Sequence, residues 1–431
     1  MVFLVKKSKL GGTIKIPGNK SGTARGIVFG SLAEGLSKIQ NPLHNIDSFS
    51  IIKMFRAMGA EIDTSNPEEW LIRGTGGRLV QPGQVLDAEN SGTGFYFALA
   101  CASLIEGWTV LSGDYQICYR PAGPMLEAIN AMGGQAFATR GKGCAPVVVR
   151  GRIKGGEFSL PGVNSQWMTP FLAACALAER DSLIHETKLL ERPYVDMTIG
   201  MLAKAGVEIE NRNYDEFFVR GGQSFKAFEY RIPADWGSSG YPLVAAAITP
   251  GSKVLFEGLD DRDFAGEKAY VDILKAMGAS IESRDGGRGG ITVEGGAELR
   301  GIEIDCSGTP DAVPALAVLG TQARGKTVLY NIDACRLKET DRAKSIMQEL
   351  AKMGARMEET ASSLTIHQSS LKGAFIDGRH DHRIVMASSV AAMAAEGPSV
   401  ISDAECAGVS FPGFYEAMSA IGADIQRLEA V

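Results

Sequence analysis

A short phrase recurs six times along the 431-residue chain: an apolar helical run, a glycine, and an alternating strand. The copies read RAMGAEI, NAMGGQA, AKAGVEI, KAMGASI, AKMGARM and SAIGADI. Their glycines are spaced 68 to 76 residues apart, at Gly59, Gly133, Gly206, Gly278, Gly354 and Gly422. Glycine at this place is typical of the left-handed residue that ends a helix. Each copy therefore predicts a helix end followed by a strand.

A second phrase repeats out of phase with the first, as SLAEGLSKIQ, SLIEGWTVLS, ALAERDSLIH, AITPGSKVLF, TQARGKTVLY and MAAEGPSVIS. It predicts another helix end, a turn and a strand. Two interleaved sets define a repeating unit of about 72 residues with two helices and several strands. Such a unit buries its apolar helices only by packing against its neighbours. We predict two domains of three units each; the alternative is an open solenoid.

The composition limits the classes of protein that this repeat can build. Hydrophobic residues make up 45% and charged residues 22%, which indicates a soluble globular chain. A net charge of −6 argues against nucleic-acid and membrane partners. The seven cysteines are scattered and form no CxxC pair, which favours free thiols over disulfides or structural zinc. With no signal-peptide core, we expect a cytoplasmic protein.

Two segments have the residues of an anion site. PGNKSGTARG predicts a glycine-rich turn that carries Lys20, Ser21 and Arg25, although Asn19 in place of glycine excludes a Walker loop. ENSGTGFYF resembles a helix N-terminus that receives an anion. The alternatives are a solvated basic turn and an ordinary helix cap.

The segment CRLKETDR places Lys338 and Arg342 four residues apart, so a helix would put both cations on one face. That arrangement favours an anion between them, with Glu339 pointing elsewhere as an acid or base. The alternative is a solvated charged face.

The segment DGRHDHR invites a metal interpretation, because it holds two histidines and two aspartates. His380 and His382 share a face only on a strand, and further ligands are not evident, so we expect no metal. We predict that Asp381 caps the following helix and that Arg383 binds an anion. Together with Arg120 and Asp311, these segments predict a small, multiply anionic substrate.

These phrases and motifs, from near the N-terminus to FPGF near the C-terminus, resemble the EPSP synthase family of enolpyruvyl transferases. The resemblance implies an α/β fold of two inside-out α/β barrels, each with three βαβαββ units around pseudo-threefold symmetry. One domain would hold residues 1–18 and 234–431 and the other residues 19–233, with the active site in the interdomain cleft. The UDP-N-acetylglucosamine branch fits less well, because its cysteine loop is missing.

The resemblance also implies a reaction: transfer of the enolpyruvyl group from phosphoenolpyruvate to the 5-hydroxyl of shikimate 3-phosphate, in the pathway to chorismate and the aromatic amino acids. No metal or organic cofactor is implied, and we expect a monomer. The implied catalytic residues are Lys20, Asp311 and Glu339. The implied acceptor-binding residues are Ser21, Arg25, Ser165, Gln166, Tyr194 and Lys338. The implied phosphoenolpyruvate-binding residues are Asn90, Gly92, Thr93, Arg120, Arg342 and Arg383.

Four positions depart from the family pattern. Tyr96 replaces an arginine, Val409 replaces a lysine that contacts the phosphate of phosphoenolpyruvate, and Asn164 and Glu191 replace serines at the acceptor phosphate. A carboxylate next to a phosphate dianion is unfavourable. Two alternatives therefore stay open: a diverged member that acts on another, for example unphosphorylated, shikimate-like or cyclitol acceptor or eliminates without phosphoenolpyruvate, and a non-catalytic binding protein.

Overall fold

The computed structural model describes residues 1–162, 164–187, 189–260, 266–284 and 289–429. The chain separates into two compact units. Unit 1 consists of Met1–Pro17 and Pro233–Val431, and unit 2 of Gly18–Ile232. Each boundary lies one residue before the predicted one.

Unit 2 alternates helices and strands from end to end. Its elements are α1 (Lys20–Leu32), β3 (Leu36–Gln40), α2 (Ile46–Ala57), β4 (Glu61–Asp63), β5 (Glu69–Arg73), β6 (Leu86–Asp87), α3 (Gly92–Ala102), β7 (Trp108–Ser112), α4 (Gly123–Ala131), β8 (Gln135–Ala138), β9 (Val147–Arg150), β10 (Gly156–Pro161), α5 (Ser165–Ala176), β11 (Ser182–Thr187), α6 (Arg192–Lys204), β12 (Ile209–Arg212), β13 (Glu216–Val219) and β14 (Glu229–Arg231).

Unit 1 starts with two N-terminal strands and continues after unit 2. Its elements are β1 (Val2–Val5), β2 (Gly11–Lys15), α7 (Trp236–Ile248), β15 (Lys253–Glu257), α8 (Ala269–Ala276), β16 (Ser280–Ser283), β17 (Ile291–Glu294), β18 (Glu303–Asp305), α9 (Val313–Gln322), β19 (Lys326–Tyr330), α10 (Arg342–Lys352), β20 (Arg356–Glu359), β21 (Ser363–His367), β22 (Phe375–Ile376), α11 (His382–Ala394), β23 (Ser399–Ile401), α12 (Phe414–Ala420) and β24 (Ile425–Leu428).

All six sheets of the described chain have four strands and the same topology. In the sheet β6-β7-β9-β8, the first pair is parallel and the other two are antiparallel. With α3 and α4, these four strands form one βαβαββ repeat, as predicted. Three of the six sheets are completed by a strand from a distant chain segment: β14 pairs with β3, β2 pairs with β15, and β1 pairs with β23 and β24.

The six glycines of the first phrase all have positive φ, between 79° and 104°. Each lies two residues after the last residue of a helix and shortly before a strand: α2, α4, α6, α8, α10 and α12 all end this way. Because only glycine adopts this conformation without a steric penalty, the predicted helix ends are confirmed.

Each unit has its own hydrophobic core, and the two cores share no residue. In unit 1, α7, α9 and α11 pack against one another, and every residue of α7 is buried. In unit 2, α3 packs against both α1 and α5. Six helices, α1, α3, α5, α7, α9 and α11, are almost entirely buried, whereas the other six described helices keep an exposed side. No described helix has both the length and the apolar character required to cross a membrane.

Candidate active site

In unit 1, several charged residues lie at or near the first residues of helices. Asp381 caps α11 by accepting a hydrogen bond from the Arg383 backbone N–H at 2.9 Å, as predicted. Arg342 is the first residue of α10, and Asp311 lies in a short 3-10 helix, Pro310–Ala312. Unpaired N–H groups and the helix dipole make a helix start favourable for negative charge. We call Asp311, Lys338, Glu339, Arg342, Asp381 and Arg383 the unit 1 cluster.

Arg342 lies at the centre of this cluster and is only 1% exposed. Its Nη1 is 2.8 Å from Asp311 Oδ1 and its Nε 2.9 Å from Asp381 Oδ2, while Nη2 bonds Glu339. Burial would lower the pKa of this guanidinium, but the three carboxylates raise it above its usual value. Arg342 is therefore charged at every working pH.

Three cationic side chains lie within 4 Å of the Asp311 carboxylate. Arg383 Nη2 lies 2.7 Å from its Oδ2, and Arg342 Nη1 and Lys338 Nζ lie 2.8 and 3.9 Å from its Oδ1. Burial would raise the pKa of Asp311, but these charges, Arg383 first, outweigh it and hold the pKa well below its usual range. The cluster thus keeps a buried carboxylate ionised.

Two expectations about CRLKETDR are wrong. The segment is not one helix: a 3-10 helix ends at Leu337, and α10 begins at Arg342 because Asp341 caps it. Glu339 does not point elsewhere, since it bonds Arg342. The anion that Lys338 and Arg342 share is the carboxylate of Asp311.

The two histidines of DGRHDHR lie in different surroundings. His380 is exposed, with Nδ1 3.2 Å from Asp403, whereas His382 is buried with Nδ1 3.7 Å from Asp381. Across the described ranges, no group of three or more histidines, cysteines, aspartates or glutamates is arranged to hold a metal ion.

In unit 2, PGNKSGTARG forms the start of α1 rather than the predicted turn. Asn19 caps α1 by accepting from the Gly22 N–H, so the helix begins at Lys20. Lys20 Nζ lies 3.2 Å from Asp47 Oδ2. Sequence reasoning missed Asp47; the signal was its place in the first turn of α2, where a helix favours an acid.

Arg25 is held from several sides and is 2% exposed. Its Nε donates to Thr198 Oγ1 at 2.8 Å and its Nη1 to the Ser21 carbonyl at 3.1 Å, and its guanidinium lies over the Phe97 ring. Burial lowers the pKa of Arg25 to about 10, so the side chain is still charged at neutral pH. The Tyr194 carbonyl accepts from Nη2 at 3.5 Å.

The start of α3 is built around Arg120. A Cβ on Gly92 would lie 1.8 Å from Arg120 Nη1, so only glycine lets the guanidinium come this close. Ser91, not Asn90, caps the helix, while Asn90 donates to Asp114 Oδ2 at 2.6 Å.

The start of α5 holds Gln166, which is implied to bind the acceptor, and Asn164, one of the departures from the family pattern. Gln166 Nε2 donates to Thr93 Oγ1 at 2.9 Å, which links α5 to α3. Asn164 caps α5 by accepting from the Gln166 N–H at 3.0 Å. The Glu191 carboxylate accepts a hydrogen bond from the Ser165 N–H. Two departures from the family pattern, Asn164 and Glu191, therefore contact the start of the same helix.

The other two departures from the family pattern, Tyr96 and Val409, do not lie at the start of α5. Tyr96 is buried and donates to the Pro121 carbonyl at 2.9 Å, where Trp167 Nε1 also donates at 3.0 Å. Val409 ends a 3-10 helix, Ala404–Val409, in unit 1.

Comparison with known proteins agrees with this geometry. The family model EPSP synthase (3-phosphoshikimate 1-carboxyvinyltransferase) matches residues 4–418. The 3-phosphoshikimate 1-carboxyvinyltransferase of Acetivibrio thermocellus is 42% identical over 100% of both chains. That of Ruminiclostridium cellulolyticum is 42% identical over 99% of this chain and 100% of its own.

Solved structures give the same result. An EPSP synthase from Acinetobacter baumannii superposes with a TM-score of 0.84 at 29% identity, over 99% of each chain. The enolpyruvyl transferase NikO from Streptomyces tendae shares the fold, with a TM-score of 0.79 at 16% identity, over 100% of this chain and 99% of its own. The mixed α/β architecture matches these proteins. The chain belongs to the EPSP synthase (3-phosphoshikimate 1-carboxyvinyltransferase) family, whose members are transferases.

Proposed function

We propose that this chain transfers the enolpyruvyl group of phosphoenolpyruvate to the 5-hydroxyl of shikimate 3-phosphate and releases phosphate. The observation that carries the proposal is the unit 1 cluster, where two acidic side chains, Asp311 and Glu339, share the buried cation Arg342. The relatives named 3-phosphoshikimate 1-carboxyvinyltransferase support this acceptor over an unphosphorylated one.

The reaction needs proton transfers in both of its steps, and a binding site for each of the two substrates. In the addition step, the methylene carbon gains a proton and the 5-hydroxyl oxygen bonds to the neighbouring carbon as it loses its proton. In the elimination step, the new methyl group loses a proton and the carbon–oxygen bond to phosphate breaks. We assign Asp311 to the hydroxyl proton, and Glu339 with Lys20 to the carbon proton.

The remaining cations suit the substrate anions. Arg120, Arg342 and Arg383 are proposed to bind phosphoenolpyruvate, because guanidinium groups bind carboxylate and phosphate oxygens in pairs. Arg25 with Ser21, Ser165, Gln166, Tyr194 and Lys338 is proposed to bind the acceptor. Asn90, Gly92 and Thr93 are proposed to support the phosphoenolpyruvate site.

The charge state of Asp311 couples binding to chemistry. In the free protein Arg383, Lys338 and Arg342 stabilise the carboxylate and hold its pKa well below its usual range, which makes it a weaker base. An anionic substrate bound to Arg342 and Arg383 offsets their charge, so the pKa of Asp311 rises towards its usual value. Asp311 therefore becomes a better base once phosphoenolpyruvate is bound.

The test is phosphate release from phosphoenolpyruvate, measured with shikimate 3-phosphate and, in parallel, with unphosphorylated shikimate. We expect turnover with the phosphorylated acceptor, and roughly a 10²–10⁴-fold lower kcat for Asp311→Asn. The matched control is Asp305→Asn, which removes an exposed carboxylate on β18. The proposal is wrong if the wild-type protein turns over neither acceptor, or if Asp311→Asn keeps full kcat.

Cytoplasmic location and a monomeric state stay predictions from the sequence. The seven free cysteines support the first, because free thiols are typical of a reducing compartment.

A further inference from the structure

The carboxylate of Glu191 accepts hydrogen bonds from Ser165, the first residue of α5. Glu191 Oε2 accepts from both the backbone N–H and the Oγ of Ser165, each at 2.8 Å. Glu191 is 1% exposed and Ser165 is 2% exposed. The two donors and the carboxylate are thus buried together.

This contact is not local capping. Glu191 itself is the residue before α6, yet its side chain makes no cap bond to that helix. Its φ of 57° lies in the left-handed region, which costs a residue other than glycine of order 1 kcal/mol. The chain therefore holds Glu191 in an unfavourable backbone conformation while its carboxylate reaches a different helix, 26 residues away in sequence.

The same carboxylate acts on Arg25. The negative charge of Glu191 raises the pKa of the Arg25 guanidinium, against the larger opposing effect of burial. The Tyr194 carbonyl, three residues after Glu191, accepts from Arg25 Nη2. The Glu191 carboxylate thus bonds Ser165 and acts on the charge of Arg25, two residues that we assign to the acceptor.

We propose that Glu191 is a specificity-determining residue of the acceptor site, because it supplies an anion of its own to the Ser165 donors. An acceptor phosphate must then compete with this carboxylate, whereas an acceptor with a neutral hydroxyl at that place does not. Glu191 therefore lowers the preference for a phosphorylated acceptor over an unphosphorylated one. This inference rests on the proposed function.

The experiment compares the wild-type protein with Glu191→Gln and Glu191→Ser. Glu191→Gln keeps the shape and removes the charge; Glu191→Ser also frees both donors of Ser165. The matched control is Asp196→Asn, which removes an exposed carboxylate on the same helix, α6, where it accepts from the Tyr214 hydroxyl at 2.8 Å. We measure kcat and KM for shikimate 3-phosphate and for shikimate at saturating phosphoenolpyruvate.

We expect Glu191→Ser to lower the KM for shikimate 3-phosphate roughly 10-fold or more, and Glu191→Gln to lower it by a smaller factor. The KM for shikimate and the KM for phosphoenolpyruvate stay within about twofold, and Asp196→Asn changes none of these constants. A purely structural role would instead change both acceptors alike. Equal changes for both acceptors, or a higher KM for shikimate 3-phosphate in the variants, would overturn the inference.

Calorimetry separates this inference from the proposed function. Titration of shikimate 3-phosphate into each protein without phosphoenolpyruvate measures acceptor affinity without turnover. If the wild-type protein turns over neither acceptor, the proposed function fails, and tighter binding by Glu191→Ser still supports the role of Glu191. If binding is equal in the wild-type protein and both variants, the inference fails even where turnover is normal.

Discussion

Gly92 shows how a single missing side chain shapes the site. Arg120 is 6% exposed and lies against the first turn of α3, where any β-carbon would overlap its guanidinium. The close approach brings a cation next to a helix start, and both features favour negative charge.

Gly92→Ala is expected to displace Arg120, because the new Cβ would lie 1.8 Å from Nη1. The KM for phosphoenolpyruvate should rise roughly 10-fold or more, as for the loss of one charge-assisted bond. Steady-state kinetics checks this, with Gly83→Ala as control, since a Cβ there meets no atom within 4 Å. An unchanged KM in Gly92→Ala would show that Arg120 does not bind phosphoenolpyruvate.

Val409 is a second informative residue, because the family pattern has a lysine there. Val409→Lys adds a cation where phosphate binding is implied, so the KM for phosphoenolpyruvate should fall roughly 10-fold. Val409→Met, of similar length and uncharged, is the control. The fall should diminish at high ionic strength, because salt screens the added charge. A rise in KM with Val409→Lys would contradict the prediction.

Strand β11 carries a buried acidic residue, Glu186. Glu186 points to the buried side of the sheet and is 7% exposed, and neither carboxylate oxygen has a hydrogen-bond partner in the described structure. Burial raises the pKa of Glu186 from 4.5 to about 8. The carboxyl group is therefore mostly protonated at neutral pH in the folded protein.

This burial predicts a pH dependence of stability. Between pH 4.5 and about 8 the folded protein keeps a proton that the unfolded chain has lost, so stability falls as pH rises through this window. The loss is complete above the folded pKa and amounts to roughly 5 kcal/mol.

Glu186→Gln removes the titration, so its free energy of unfolding should fall less than that of the wild-type protein between pH 5 and pH 8.5. Urea unfolding at both pH values measures the difference. Glu208→Gln, an exposed position, is the control and should behave as the wild-type protein. Equal pH dependence in the wild-type protein and Glu186→Gln would show that Glu186 is not the cause.

Unit 2 is a continuous insertion into the sequence of unit 1. The Asp235 N–H donates to the Pro17 carbonyl at 2.8 Å, so the two crossings of the chain are adjacent in unit 1. Unit 2 has its own core and three four-stranded sheets, and β14 supplies the fourth strand of the sheet formed by β3, β4 and β5.

We expect a fragment of residues 18–232 to fold alone. A fragment that ends at Lys226 lacks β14 and loses the buried side chains Phe228 and Ile232, which should cost roughly 3 kcal/mol or more. Circular dichroism during urea unfolding measures both fragments. The prediction is contradicted if the longer fragment is unfolded or if both unfold at the same urea concentration.

Much of the fold was predictable because its signals are local. A glycine ends each of six helices, and a capping aspartate or asparagine starts α1, α10 and α11. These signals depend on a few neighbouring residues and their backbone conformations. The helix start at Lys20 was missed because its glycines suggested a turn.

Less of the candidate site was predictable, because its contacts join distant segments. The repeat period, the helix ends and the residue types that suit an anionic substrate all follow from the order of residues along the chain. The contacts of Asp381 with Arg342, 39 residues away, and of Glu191 with Ser165 arise only when the chain is folded. A helix end depends on the conformation of neighbouring residues, whereas an ion pair depends on how whole helices pack.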